Sequence, residues 1–204
     1  GREWRPKGTP VEVNVYDFPS LADGKAIPYG IYDVGRNEGY VSVGVASDTS
    51  EFAVESIRSW WEHLGSPRYP DAQRLLITAD CGGSNGNRCR LWKLELQRFA
   101  DETGIDVRVA HYPPGTSKWN KIEHRLFCQI TANWRGRPLT SFQTVVDLIG
   151  STETSTGLKV FARLDPQEYQ RGRSVSKDEM ATVRIERDNF HGEWNYVLLP
   201  RRPR

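Results

Sequence analysis

Val11, Val13 and Val15 alternate with Glu12, Asn14 and Tyr16, the period-two pattern of a half-buried strand. Ile27 to Val34 and Tyr40 to Ala46 are two more apolar stretches, split by the turn cluster Gly35-Arg36-Asn37-Glu38-Gly39, and they read as a hairpin. Beyond residue 50 the period lengthens. Ala53, Val54, Ile57, Trp60, Trp61 and Leu64 fall on one helical face. Asp48 is the expected N-cap of that helix, with Glu51 as its capping-box partner. Gly65 is the expected stop, and Pro67 and Pro70 oppose continuation.

Leu75 to Ala79 is a short apolar run, broken only by Thr78 and followed by Asp80-Cys81-Gly82-Gly83. It predicts a central strand buried on both faces. A helix over 88–103 follows, with Trp92, Leu96 and Phe99 inward and Gly104 after it. Ile105 to Ala110 is a strand that runs into His111-Tyr112-Pro113-Pro114-Gly115. A helix over 117–133 would carry Trp119, Ile122, Leu126 and Ile130 as its stripe. Thr140 and Gln143 open a further helix, with Val145, Val146 and Ile149 inward. Residues 158–164 read as a strand, Ser176 and Glu179 as a capping box, and 193–199 as a last strand. A hairpin followed by alternating helices and strands gives an α/β protein with a mixed sheet.

Composition narrows this only a little. The 204 residues suit one domain with a small appendage, 37% are hydrophobic, and a net charge of +2 does not mark a nucleic-acid binder. The cysteines, at 81, 89 and 128, lack metal-type pairing, so a reduced, cytoplasmic protein is the expectation. No apolar run approaches the roughly 20 residues of a membrane helix, so no membrane partner is expected. The chain opens on Gly1 and its sole methionine is Met180, which suggests a piece of a longer protein.

The chemistry concentrates at two carboxylates. Asp80 ends the predicted central strand, where α/β sheets keep their active groups, although such an Asp can equally cap a turn. Glu123 lies on the edge of a helical stripe, one helix and one strand later. Converging there, the two would hold Mg²⁺ or Mn²⁺, which prefer oxygen ligands. Alternatively, Glu123 pairs with Arg125, Lys121 or Arg135 at the surface. His124 can reach phosphate or metal, or lie idle on a helix surface, and His111 with Tyr112 ends a strand nearby. Asn120 is one turn before Glu123 and placed to orient it. Lys118, Lys121, Arg125, Arg135 and Arg137 suit DNA phosphates or, as readily, a solvated face.

ITADCGGSNG, LWKLELQRFADETG, HYPPGTSKWNKIEHRLF, NWRGRPLTS and FHGEWNY together resemble the Rhodopirellula-type DDE transposases of bacterial insertion sequences. PPGTSKWNKIEH is more distantly similar to a block of mariner-like transposases. The resemblance spans essentially the whole chain. It implies an RNase H-like mixed sheet with helices on both faces and a D-D-E triad holding two divalent ions, Mg²⁺ or Mn²⁺. In that triad the second Asp matches Asp80 and the Glu matches Glu123. The first Asp belongs to a first strand that is missing here and expected upstream; Asp17, Asp33 and Asp48 are poor substitutes. Cys81 stands where the family carries glycine.

The implied activity is DNA strand cleavage and transfer in transposition, with the element's ends and target DNA as partners and self-association besides. The implied setting is the bacterial cytoplasm, at the nucleoid. Residues 1–150 would be the catalytic domain, incomplete at its start, and 151–204 an extension packed on it. Such a truncated form would lack full activity. The alternatives are a non-catalytic remnant that binds DNA or protein, and an RNase H-like nuclease.

Overall fold

A computed structural model describes residues 6–8 and 24–201. The strand expected at 11–15 lies outside the described residues, as does Asp17. The chain divides into two compact units, one of residues 1–46 with 124–167 and the other of residues 47–123 with 168–204. Segment 151–204 contributes to both.

The first unit is built on the predicted hairpin. Strands β1 (Ile27–Asp33) and β2 (Glu38–Gly44) pair antiparallel, with Ile27 opposite Gly44 and Asp33 opposite Glu38. The Asp33 carboxylate accepts hydrogen bonds from the Gly35 and Arg36 amides, and Asn37 takes a positive φ of 55°, which closes the turn. Strand β5 (Lys159–Asp165) adds to β2 in parallel. Gly39 to Gly44 of β2 are all buried. A Cβ on Gly39 would run into the buried Leu126 side chain, so glycine lets the 123–127 turn lie close against the strand. Helix α4 (Phe142–Gly150) packs on β5 and β2. Its N-cap is Ser141 and not Thr140: the Ser141 hydroxyl lies three residues before the Thr144 amide it accepts from.

The second unit starts with α1 (Ser50–Trp60). Thr49, not Asp48, is its N-cap and accepts from the Phe52 amide. That shift moves Glu51 to the second helical position, where it cannot close a capping box; it pairs with Arg173 at 2.9 Å instead. Nor does Gly65 stop the helix. The chain stays helical through a wide π turn, Trp61–Gly65, as far as Arg68, because Gly65 keeps right-handed angles and lies under the Trp61 ring. Strand β3 (Arg74–Ala79), helix α2 (Arg90–Thr103) and strand β4 (Asp106–His111) follow. Gly104 ends α2 in the left-handed conformation, φ 72°. Helix α5 (Lys177–Ala181) has the predicted Ser176–Glu179 capping box, with both bonds made. Strands β6 (Ile185–Arg187) and β7 (Asn195–Leu198) complete a sheet ordered β3-β4-β7-β6. Only the β3–β4 pair is parallel.

Among the described residues the run 75–79 is not the expected central, doubly buried strand. Among the described residues β3 pairs with β4 alone and forms the sheet's edge. One of its faces, Arg74, Leu76 and Thr78, is exposed, with Leu76 at 61%. The other faces the core with Val107, Val109, Tyr196 and Leu198, under the buried Trp92, Leu96 and Phe99 of α2. An unbroken apolar run marks a strand without deciding how many of its faces are covered. The described strands thus form two mixed sheets with helices, an α/β architecture.

Candidate metal-binding and DNA-contacting site

Asp80 is the first residue beyond β3, where the register with β4 has ended at Ala79 opposite His111. Gly82 and Gly83 follow, the latter with a positive φ of 70°. Sheet pairing no longer holds the chain at Asp80, and side chains take over. The Asn120 amide donates to Asp80 Oδ1 at 3.2 Å. His111 Nδ1 lies 2.9 Å from the Asp80 carbonyl oxygen.

The loop 112–120 does not form the first turns of a helix. A short 3₁₀ turn, Ser117–Trp119, gives way to Asn120 in an extended conformation, ψ 119°. Trp119 therefore leaves the predicted stripe and stands 61% exposed, whereas Leu126 and Ile130 are buried as expected. Helical structure resumes at residue 121 with a π turn, Glu123–Phe127, which runs into α3 (Cys128–Trp134). Glu123 opens that turn, and its amide donates to the Asn120 carbonyl at 3.2 Å. Asn120 thus connects the two carboxylate-bearing segments: its side chain grips Asp80 and its backbone carries Glu123. Turns of π type recur at functional sites in helices.

Glu123, Lys118 and Lys121 are exposed residues of the second unit, together with half-buried Asp80 and Asn120. His124, Arg125, Arg135 and Arg137 are exposed residues of the first unit. The His124 carbonyl accepts from the Cys128 thiol. Asp33, considered as a third carboxylate, is engaged in the hairpin turn. Asp48 is exposed at the start of α1, 4.0 Å from where a Cβ on Gly83 would lie. The thiol of Cys81 is pushed up by burial and by the neighbouring Asp80 charge.

Behind Asp80 lies a buried polar line that periodicity does not reveal. His111 Nε2 is 3.0 Å from the Tyr196 hydroxyl, and Trp92 Nε1 donates to that same hydroxyl at 3.0 Å. Burial pushes the Tyr196 phenol up and holds the His111 imidazole below its ordinary value. Lys93 stands 5.5 Å over the Tyr196 ring and donates to the Asn87 carbonyl. Tyr196 falls in the FHGEWNY segment and Trp92 in LWKLELQRF, so only the motifs themselves could have pointed to them.

A model of the family described as the Rhodopirellula transposase DDE domain matches residues 1–200. The chain belongs to that family. No curated protein and no solved structure matches it. Among the described residues of this DDE domain, no helix is long and apolar enough to cross a membrane.

Proposed function

We propose that this DDE domain serves metal-dependent DNA strand cleavage and transfer in the movement of an insertion sequence, with Asp80 and Glu123 as ligands to Mg²⁺ or Mn²⁺. Family membership supports the transposase reading. The observation that carries the site is the Asn120–Asp80 hydrogen bond, which ties the strand-end aspartate to the turn that bears Glu123. The donor type suits these ions, since both side chains offer hard oxygen atoms. The donor number falls short: among the described residues, no group of three His, Cys, Asp or Glu side chains could hold a metal. The third carboxylate of the triad must then come from elsewhere, and an RNase H-like sheet with a further strand beside β3 would supply it.

Bound ions would polarise a phosphodiester and activate water or a DNA 3′-hydroxyl. The chain's own residues would do the rest. Asn120 orients Asp80, and Lys118, Lys121 and Arg125 offset phosphate charge, with Arg135, Arg137 and His124 as further contacts. A second reading, a non-catalytic module that only binds DNA or a protein, draws on the missing third ligand among the described residues. Mn²⁺ titration followed by the paramagnetic resonance of the free ion separates the two. The metal reading expects weak binding that Asp80→Ala and Glu123→Ala each reduce. Binding unchanged in both variants removes these residues from the site.

A further inference from the structure

We propose that His111, held by Tyr196 and Trp92 as the tautomer protonated on Nδ1, is the positioning residue that fixes Asp80 for metal binding. This rests on the reading of Asp80 as a metal ligand.

The direction of every bond in the line follows from what each atom can do. A peptide carbonyl only accepts, so His111 Nδ1 donates to the Asp80 oxygen at 2.9 Å. An indole N–H only donates, so the Tyr196 oxygen accepts from Trp92 at 3.0 Å. The phenolic proton then points to His111 Nε2 at 3.0 Å, which in a neutral ring is the accepting nitrogen. Trp92, Tyr196 and His111 are at most 5% exposed, and the line leaves none of their polar atoms without a partner.

Where the line ends is the informative part. A chain of polar groups confined to the core could be exchanged for apolar side chains of like shape. This one leaves the core and terminates on the backbone of one residue, Asp80, just past the last register pair of β3, with Gly82 and Gly83 following after Cys81. Without it, the carbonyl of Asp80 would lose the hold that the sheet no longer supplies, and the carboxylate would be aimed by Asn120 alone. Partners that orient a metal ligand from behind typically change metal affinity by about 10–100-fold when removed.

The test uses the whole chain. Long-range ¹H–¹⁵N spectra of the imidazole nitrogens should show His111 with its proton on Nδ1. Mn²⁺ titration should show binding weakened about 10–100-fold in His111→Leu. His111→Asn, whose side-chain amide can still donate towards the Asp80 carbonyl, should recover most of that loss. Circular dichroism confirms which variants fold; if His111→Leu does not, the spectra and the Asn variant decide. A proton on Nε2, an imidazolium at neutral pH, or a folded leucine variant with undiminished affinity overturns the proposal. Asp80→Ala keeps the two readings apart. If it binds Mn²⁺ like the unsubstituted chain, the metal role of Asp80 falls and the positioning role with it, while the spectra still report whether the line exists.

Discussion

A Cβ on Gly65 would run into the Trp61 ring within the π turn of the first helix. Both residues are buried, so neither has room to yield. Gly65→Ala should therefore destabilise the fold by about 1–3 kcal/mol, the usual range for overpacking, as a lowered urea midpoint with unchanged slope. An unchanged midpoint would mean that the Trp61 ring shifts aside without cost and that close packing is not why glycine stands there. Single residues also decide where the first helix begins. Thr49 has the extended angles and the hydroxyl in reach of Phe52, and moving the cap from Asp48 by one residue turns Glu51 from a capping partner into an ion-pair partner of Arg173.

At the scale of elements, α2 organises the second unit through polar as well as apolar residues. Gln97 is fully buried; its amide donates to the Leu199 carbonyl, and its oxygen accepts from the Arg184 amide at 2.7 Å. One side chain thus holds the chain at the outer ends of β6 and β7. Gln97→Leu keeps the packing but leaves two backbone groups without partners, at roughly 1–3 kcal/mol each. A loss of about 2–4 kcal/mol is expected in urea unfolding. Asp101, one turn on, accepts from Gln97 and from the Arg201 amide and guanidinium. Burial of its carboxyl works against ionisation, but these donors outweigh it and hold Asp101 below the usual carboxylate range. Its contribution is fully present above the unfolded value of about 3.9 and is lost as pH falls through the lower folded value. Asp101→Asn should accordingly flatten the acid end of the stability–pH curve, read as urea midpoints between about pH 5 and pH 2. A slope equal to that of the unsubstituted chain would show that other carboxylates carry it.

For the whole molecule, the deciding quantity is the number of ligands. Two carboxylates do not balance two dications, and among the described residues no group of three metal-binding side chains includes the proposed pair, Asp80 and Glu123. Any cleavage in Mn²⁺ of DNA that carries the element's ends is expected to depend on Asp80 and to be lost in Asp80→Ala, read in a strand-cleavage assay. Cleavage that disappears in the variant would show that a resident residue completes the site. DNA binding should be sequence-tolerant. Its affinity should fall steeply with salt. Reversing the charge of Lys118 or Lys121 should reduce the logarithmic slope by about 0.9 for each phosphate that is no longer neutralised. A slope that is unchanged in both variants would place the DNA-binding surface elsewhere.

Periodicity and turn chemistry determined most of the elements: the 27–44 hairpin, the buried face of α2, the capping box of α5 and the late strands β5 and β7, though not β6. These depend on neighbours in sequence, which the chain itself displays. The motif PPGTSKWNKIEH likewise placed Asn120 and Glu123 within one turn of each other. Tertiary structure alone decided three things. Among the described residues β3 is an edge strand with one exposed face, because burial depends on which strands arrive beside it. Trp119 left its predicted helix, because Asn120 is extended and turns its side chain to Asp80. And Trp92, Tyr196 and His111 met behind Asp80, because a hydrogen bond between residues about a hundred positions apart leaves no periodic trace.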